Sequence, residues 1–240
     1  MKLTFLGTRG ETDARTRRHR RHASLLVEYR GGRVMIDCGA DWRGRTDEIN
    51  PHGIVLTHAH PDHAWGLDAG APCGVWATRD TWEDIDDYPL DDRHTVSAGR
   101  AFHVHGIDFK AFTVEHSTRC PAVGYRVRAG DITIWYAPDL VYVHDRAAAL
   151  RDVDLYVGDG ATLARSFVRK RGDQLIGHTP VRTQLTWCRK EGVGETIITH
   201  CGQEIVTGDE RTLRAKVRHW ANEHGVSARI AFDGMEKILR

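Results

Sequence analysis

Residues 56–67 read LTHAHPDHAWGL. Four groups able to hold a metal, His58, His60, Asp62 and His63, fall within six positions. The run leading into them, IVLTH (54–58), is apolar and β-branched, the pattern of a short buried strand. A two-residue spacing puts His58 and His60 on one face at the strand's carboxyl end. Pro61 suits the first turn of a helix, from which Asp62 and His63 can swing back. Neutral imidazole and carboxylate are ligands for zinc and similar divalent ions. A single zinc rarely takes four ligands from so tight a stretch, so the pattern points to two neighbouring metals that share it.

Working outward, strand-like runs cover 2–6, SLLVEY (24–29) and RVMIDCG (33–39), the last two joined by the hairpin signal Arg30-Gly31-Gly32. GVWAT (74–78) is another strand, and DTWEDIDDYPLDD an acidic helix and turn. Further strands are expected over 103–116 (broken by Gly106), 122–129, 131–137, 154–158, 195–200, 228–232 and 235–239. Helices are expected over 61–69, 143–150, 179–192 (with Pro180 at its start and Gly192 at its end) and 209–224. No linker, repeat or low-complexity stretch interrupts the pattern, so residues 1–240 read as one α/β domain. It would hold two mixed sheets packed together with helices outside.

The bulk numbers fit. Apolar residues make up 40% and charged residues 28%, ordinary for a soluble globular chain. The net charge of +1 gives no argument for bulk nucleic-acid or membrane binding. No run approaches the ~18 apolar residues of a membrane helix, and MKLTFLGTRG lacks the apolar core of a signal peptide. The five cysteines are scattered, odd in number and free of CxxC pairs, against a disulfide framework and in favour of a reducing cytoplasm.

THAHPDH resembles the signature of the metallo-β-lactamase superfamily, and the resemblance extends over nearly the whole chain. It implies a four-layer αββα sandwich. The early strand and glycine turn resemble LTFLGTRG; His116 in VEHSTRCPAVGYRV, Asp139 in ITIWYAPD and His200 in ETIITHCG match the remaining ligand positions. The resemblance implies one metal on His58, His60 and His116 and a second on Asp62, His63 and His200, with Asp139 bridging. Asp159 in YVGDGAT also follows a strand and competes with Asp139 as the bridge. His103 and His105, in HVHG before a strand, rank as surface or supporting residues. The expected cofactors are two divalent ions, zinc by default, with manganese and iron accepting the same ligands.

Two such ions, roughly 3.5–4 Å apart, hold a hydroxide between them and activate it for hydrolysis of an ester-like bond. No GxSxG elbow, reactive-cysteine motif or Walker loop offers a rival chemistry. GHTPVRTQLTWCRKEGVGETIITHCG (177–202) resembles the stretch of ribonuclease Z and related phosphodiesterases in which GHS or GHT opens a helix leading to the last ligand strand. This makes His178 a candidate catalytic group that protonates a leaving alkoxide or neutralises charge. Asp62 is placed with it among the catalytic residues, and either Asp62 or Asp159 would orient its ring. Ribonuclease Z carries a long glycine- and proline-rich arm that has no counterpart between Asp139 and His178. A small or cyclic phosphodiester, or a nucleic-acid end, is therefore the expected substrate. The alternatives are a thioesterase or lactonase of the same fold and a non-catalytic nucleic-acid-binding protein.

Five arginines crowd into ARTRRHRRHA (14–23), and arginine forks hold phosphate oxygens. Arg17, Arg18, Arg20 and Arg21, with Asp159, form the candidate substrate-binding set. VRKRGD (168–173) can add to a basic rim, while the acidic run 83–92 opposes the arginine loop in sign and allows a homo-oligomer. Trp65, Trp76, Trp82 and Trp135 read as core or rim packing.

Overall fold

The computed structural model describes all 240 residues. The first sheet holds β1 (Lys2–Gly7), β2 (Ser24–Tyr29), β3 (Gly32–Ile36), β4 (Gly53–Val55), β5 (Gly74–Thr78) and β6 (Arg93–Val96). β17 (Met235–Ile238), from the end of the chain, completes it in the order β17-β1-β2-β3-β4-β5-β6. The second sheet runs β11 (Tyr142–Val143), β8 (Ile107–Glu115), β9 (Ala122–Ala129), β10 (Ile132–Tyr136), β12 (Leu155–Asp159), β15 (Glu195–Thr199), β16 (Ser227–Ile230), with β7 (Ala101–Val104) on β8. Both sheets are mixed: hairpins make antiparallel pairs at one side, and crossovers make parallel pairs such as β3·β4, β10·β12 and β12·β15.

Alternation along the strands explains the layers, because successive side chains face opposite sides of a sheet. Leu25 and Val27 face the core between the sheets, together with Leu3, Phe5, Tyr125 and Ile134. Leu26 and Met35 face the other way and meet Trp42, Trp82 and Leu67. In the second sheet Leu155 and Val157 point inward, while Trp135 and Tyr156 point outward against Leu185 and Val217. Leu185 and Val217 come from α5 (Val181–Glu191) and α7 (Glu210–Glu223). Three apolar layers thus separate four layers of structure, the αββα sandwich anticipated from the sequence. No helix is long and apolar enough to cross a membrane.

The local signals mostly hold. α5 starts after Pro180 and ends on Gly192, whose φ of 78° lets the chain leave in the left-handed conformation that closes a helix. The 103–116 run is not one broken strand. His105 and Gly106 both have positive φ, so β7 and β8 fold back on one another as a hairpin. The helix expected over 61–69 is shorter: α2 is Pro61–Ala64, followed by a 3-10 turn at Trp65–Leu67. The remaining helices are α1 (Thr46–Ile49), α3 (Arg79–Asp84), α4 (Arg146–Leu150) and α6 (Gln203–Thr207). β13 (Arg169–Arg171) and β14 (Gln174–Ile176) form a separate hairpin with no signal in the sequence pattern, since every residue of RKRGDQ is polar or glycine and gives no apolar alternation.

β1, β3, β4, β8, β10, β12 and β15 all finish at one edge of the sandwich. Asp159 ends β12, and the segments that follow the other six strands carry Gly10, Asp37, His58, His116, Asp139 and His200.

Candidate metal centre

At that edge the ligand atoms of three overlapping groups lie within 4.8 Å of one another: His58, His60, His116 and Asp139; Asp62, His63, Asp139 and His200; Asp139, Asp159, His178 and His200. Asp139 belongs to all three. Its Oδ2 lies 3.4 Å from His58 Nε2, 3.2 Å from His63 Nε2 and 3.3 Å from His116 Nε2; its Oδ1 lies 2.8 Å from His200 Nδ1. Asp159, the rival for the bridging position, stands one step back, 3.7 Å from His200 Nδ1. Its fully buried carboxylate is used by His178, the Leu140 N–H and the Ala161 N–H. Fully buried and already holding these three N–H groups, it supports His178 rather than touching a substrate, which corrects its assignment to the substrate-binding set.

The donor set fits divalent cations. In the first group the ring nitrogens crowd together: His60 Nδ1 is 2.9 Å from His58 Nε2 and 3.1 Å from His116 Nε2. One nitrogen cannot share protons with both neighbours, so lone pairs converge on a common point. In the second group His63 Nε2, Asp139 Oδ1 and His200 Nδ1 are buried and face one another at 2.8–3.2 Å across Asp139 without a well-directed hydrogen bond. Buried polar atoms are normally satisfied, and an ion would satisfy all three at once. The titration directions agree. Burial, followed by neighbouring imidazoles, pushes His58 and His116 down and His60 to about 4, which keeps them neutral as metal ligation requires. Against the cost of burial, the carboxylates hold His63 and His200 well above the usual range. Asp62 and Asp139 stay ionised despite their own burial because those histidines face them.

The ring orientations are set from behind. His63 Nδ1 donates to Asp37 Oδ2 at 3.0 Å. The Thr57 hydroxyl donates to the same carboxylate and sits 3.0 Å from His58 Nδ1. His116 Nδ1 donates to the Gly177 carbonyl at 3.1 Å. Each contact leaves Nε2 for the cluster, the usual arrangement behind a metal-binding histidine. Asp37 was missed in the sequence. The available signal was a carboxylate at a strand end, in MIDCG, just before the glycine that packs against the Asp62 carbonyl.

His178 is the partly open member, its side chain 23% exposed. Its Nδ1 donates to Asp159 Oδ2 at 2.8 Å, which leaves Nε2 without a protein partner. Asp159 orients the ring; Asp62 is engaged by His200 at 2.9 Å and by His63, so it does not serve His178 as one of the two sequence alternatives had it. Burial lowers the proton affinity of His178, but Asp159 and Asp139 more than offset this and leave it raised. The ring therefore tends to carry a proton beside the cluster.

Most of the arginine loop, the source of the candidate substrate-binding set, is held away from the metal cluster. Arg18 pairs with Glu210 and lies over the Phe232 ring, while Arg21 lies over Trp42. The backbone N–H groups of Arg20 and Arg21 donate to Asp233. Arg17 and Arg20 point their side chains to solvent with no ion pair. The part of this loop that does reach the cluster is its beginning: Gly10 packs against the His200 ring, and buried Arg9 ties Asp41 to the same turn. His105 lies in the hairpin turn between β7 and β8, and His103, in β7, pairs with Asp108 across the hairpin. Trp76, Trp82 and Trp135 pack in or against the cores, whereas Trp65, one residue beyond α2, is 48% exposed.

Comparison with known proteins gives the family and the fold. The family model for the beta-lactamase superfamily domain matches residues 32–201. Ribonuclease Z of Methanopyrus kandleri is 29% identical over 147 residues, a match that takes in 54% of this chain and 51% of the relative. The chain thus spans about half the length of that relative. Ribonuclease Z of Mycobacterium sp. (strain KMS) is 26% identical over 90% of this chain and 89% of its own. Among solved structures, the metallo-beta-lactamase fold protein YhfI from Bacillus subtilis superposes with a TM-score of 0.74 at 15% identity, over 98% of each chain.

Proposed function

The chain belongs to the beta-lactamase superfamily domain family, and on that premise we propose that it is a metal-dependent phosphodiesterase that uses two divalent ions over a single domain, residues 1–240. His58, His60 and His116 would hold one ion and Asp62, His63 and His200 the other, with Asp139 between them. Zinc suits these nitrogen and oxygen ligands, and manganese or iron(II) are accepted by the same set. When bound, such a pair supplies a nucleophile from water near neutral pH and stabilises charge on the attacked phosphoryl group.

The observation that carries the reading is the His178–Asp159 pair. Asp159 fixes the Nδ1–H tautomer and favours the protonated ring, so Nε2–H is free to donate. A phosphodiester expels an alkoxide, and a donor at that position protonates it as the P–O bond breaks. Thioesters and lactones have less need of such an acid. The β13–β14 hairpin borders the open side, tied there by the Gly177 N–H to the His116 carbonyl and the Leu175 N–H to Glu115. It presents exposed Arg169, Lys170 and Arg171, which favours an anionic substrate. The relatives named ribonuclease Z support a phosphodiester in a nucleic-acid end or a small or cyclic phosphodiester.

The test uses one preparation with its metal content measured, assayed on bis-p-nitrophenyl phosphate, a thioester and a lactone, with and without chelator. Chelator-sensitive cleavage of the phosphodiester is expected, and His178→Ala should keep its metal while losing about 10²–10⁴ in kcat. Full phosphodiesterase turnover in that variant removes the assigned role of His178. Cleavage of only the thioester or lactone replaces the reading with an esterase of the same fold.

A further inference from the structure

Away from the metal cluster, the face built from α7, β16 and the loop 15–21 carries a chain of connected depressions. A pocket of about 230 Å³ lies between residues 16–19 and the α6–α7 segment. It shares Glu210 and Arg214 with a groove along α7, which in turn shares Arg218 and Ala228 with a third depression. On its other side Arg17 and Arg18 lead on to Phe232 and Asp233. Their shared lining residues make these neighbouring depressions on one face, a segmented trough.

Its charge is lopsided. Arg17, Arg18, Arg211, Arg214, Arg218 and Arg229 line it against three carboxylates, in a chain whose net charge is only +1. The carboxylates are committed: Asp209 caps α7 through Thr212, Glu210 is shared by Arg18 and Arg214, and Asp233 accepts the Arg20 and Arg21 N–H groups. Arg17, Arg211 and Arg218 have no acidic partner and are exposed. Leu213, Val217 and Ala221 face the core, so Arg211, Arg214 and Arg218 share the outer face of α7. At about 1.5 Å per residue the row is about 10 Å long.

The pocket at the wide end differs from the groove. Ile205, Val206, Leu213 and Ile230 give it an apolar floor, and Arg17, Arg18 and Arg214 its rim. His19 lines it too, and its Nδ1 is taken by the Thr8 hydroxyl at 2.8 Å, leaving Nε2 unpaired. The volume is below the usual range for a drug-sized ligand and suits a fragment such as one heterocycle. A row of exposed arginines, of which Arg211 and Arg218 are unpaired while Arg214 shares Glu210 and Arg229 pairs with Glu195, leads to an apolar slot with flat arginines at its edge and matches what a single nucleic-acid strand presents, namely regularly spaced phosphates and unstacked bases. We propose that this trough is a second binding surface, separate from the metal cluster, for single-stranded nucleic acid, with the α7 arginines on the backbone and one base in the pocket. The choice of ligand rests on the phosphodiesterase reading. The trough adjoins the catalytic edge, since α6 begins three residues after His200 and the arginine loop leaves from the Gly10 turn against that ring.

The test is fluorescence anisotropy of a labelled 12-nucleotide RNA on the full chain, with chelator present to prevent cleavage. Binding should weaken with salt, with a slope near −0.7 in log K per phosphate contacted. Arg211→Glu/Arg218→Glu, which breaks no ion pair, should weaken binding at least tenfold and flatten the slope, with bis-p-nitrophenyl phosphate turnover within twofold of the parent. An RNA with abasic positions should bind at least fivefold more weakly than the intact strand. No RNA binding at low salt, or binding indifferent to the double variant, overturns the proposal. So does a salt-sensitive dimer in light scattering that the double variant abolishes while RNA binding is absent, which assigns the strip to the acidic 83–92 run of a second copy. RNA binding through these arginines without phosphodiester cleavage would retain the trough and reject the hydrolase reading.

Discussion

Asp37→Asn tests whether the metal ligands are set from behind. The wild-type carboxylate receives the Thr57 N–H at 2.8 Å, the Thr57 hydroxyl at 2.9 and 3.0 Å, and His63 Nδ1–H at 3.0 Å. Asparagine keeps the volume and one acceptor, enough for Thr57. Its amide would then point N–H at N–H across the His63 contact. His63 relieves this by moving its proton to Nε2, the atom that faces Asp62 and Asp139. Backbone strain is not a confounder, since Asp37 has φ of 65° and asparagine adopts that region as readily as aspartate. A charge-assisted hydrogen bond contributes about 1.5–3 kcal/mol, which corresponds to the ~10–100-fold loss in metal affinity typical of such supporting residues. Competitive chelator titration of the parent and variant should therefore show one of two metals weakened by that factor and the other within a few-fold. Two metals bound with parent affinity in Asp37→Asn would refute the reasoning.

Three further outcomes are expected. Gly10→Ala places a methyl group 2.8 Å from His200 Cε1; it should cut turnover at least tenfold and leave the far-ultraviolet circular dichroism unchanged, and full activity would show that the ring has room to move. Burial first, and Arg18 second, lower His19 to about 4 in the fold, while the unfolded chain titrates near 6.5. The unfolded state therefore takes up this proton first as pH falls, and parent stability relative to His19→Gln should drop between pH 6.5 and 4 by at most ~3 kcal/mol; urea titrations at pH 7 and 4.5 that show no difference would rule out a neutral His19. Metal uptake must displace the protons that the carboxylates hold on His63 and His200, so zinc affinity in a competitive titration should rise from pH 6 to 8, and a flat profile would exclude that protonation.

How much could be read in advance differs from residue to residue. His58, His60, Asp62 and His63 lie within one strand end and one helical turn, so local periodicity alone brings them together. The alternating runs likewise carry the layers, because a strand with apolar residues on both faces must be covered on both. Asp139 is preferred over Asp159 as the bridge through the family resemblance alone, since each follows an apolar strand run in the same way. The choice depends on how far each loop travels beyond β10 and β12, a matter of packing between neighbouring strands. Residues 15–21 illustrate the opposite error. Their charge suggested phosphate recognition at the metal site, but Glu210 in α7, Phe232 and Asp233 in the segment between β16 and β17, and Trp42, all distant in sequence, hold them in place instead.

What the sequence by itself determined is therefore the chemistry and the layering: a histidine–aspartate cluster at a strand end and sheets covered on both sides. Only the tertiary structure decided that His116, Asp139 and His200 meet that cluster, that Asp37 and Asp159 stand behind it, and that the arginines join α7. Side-chain type and spacing act over a few residues. Convergence across 142 positions, from His58 to His200, requires strand order and register, which arise only when both sheets pack.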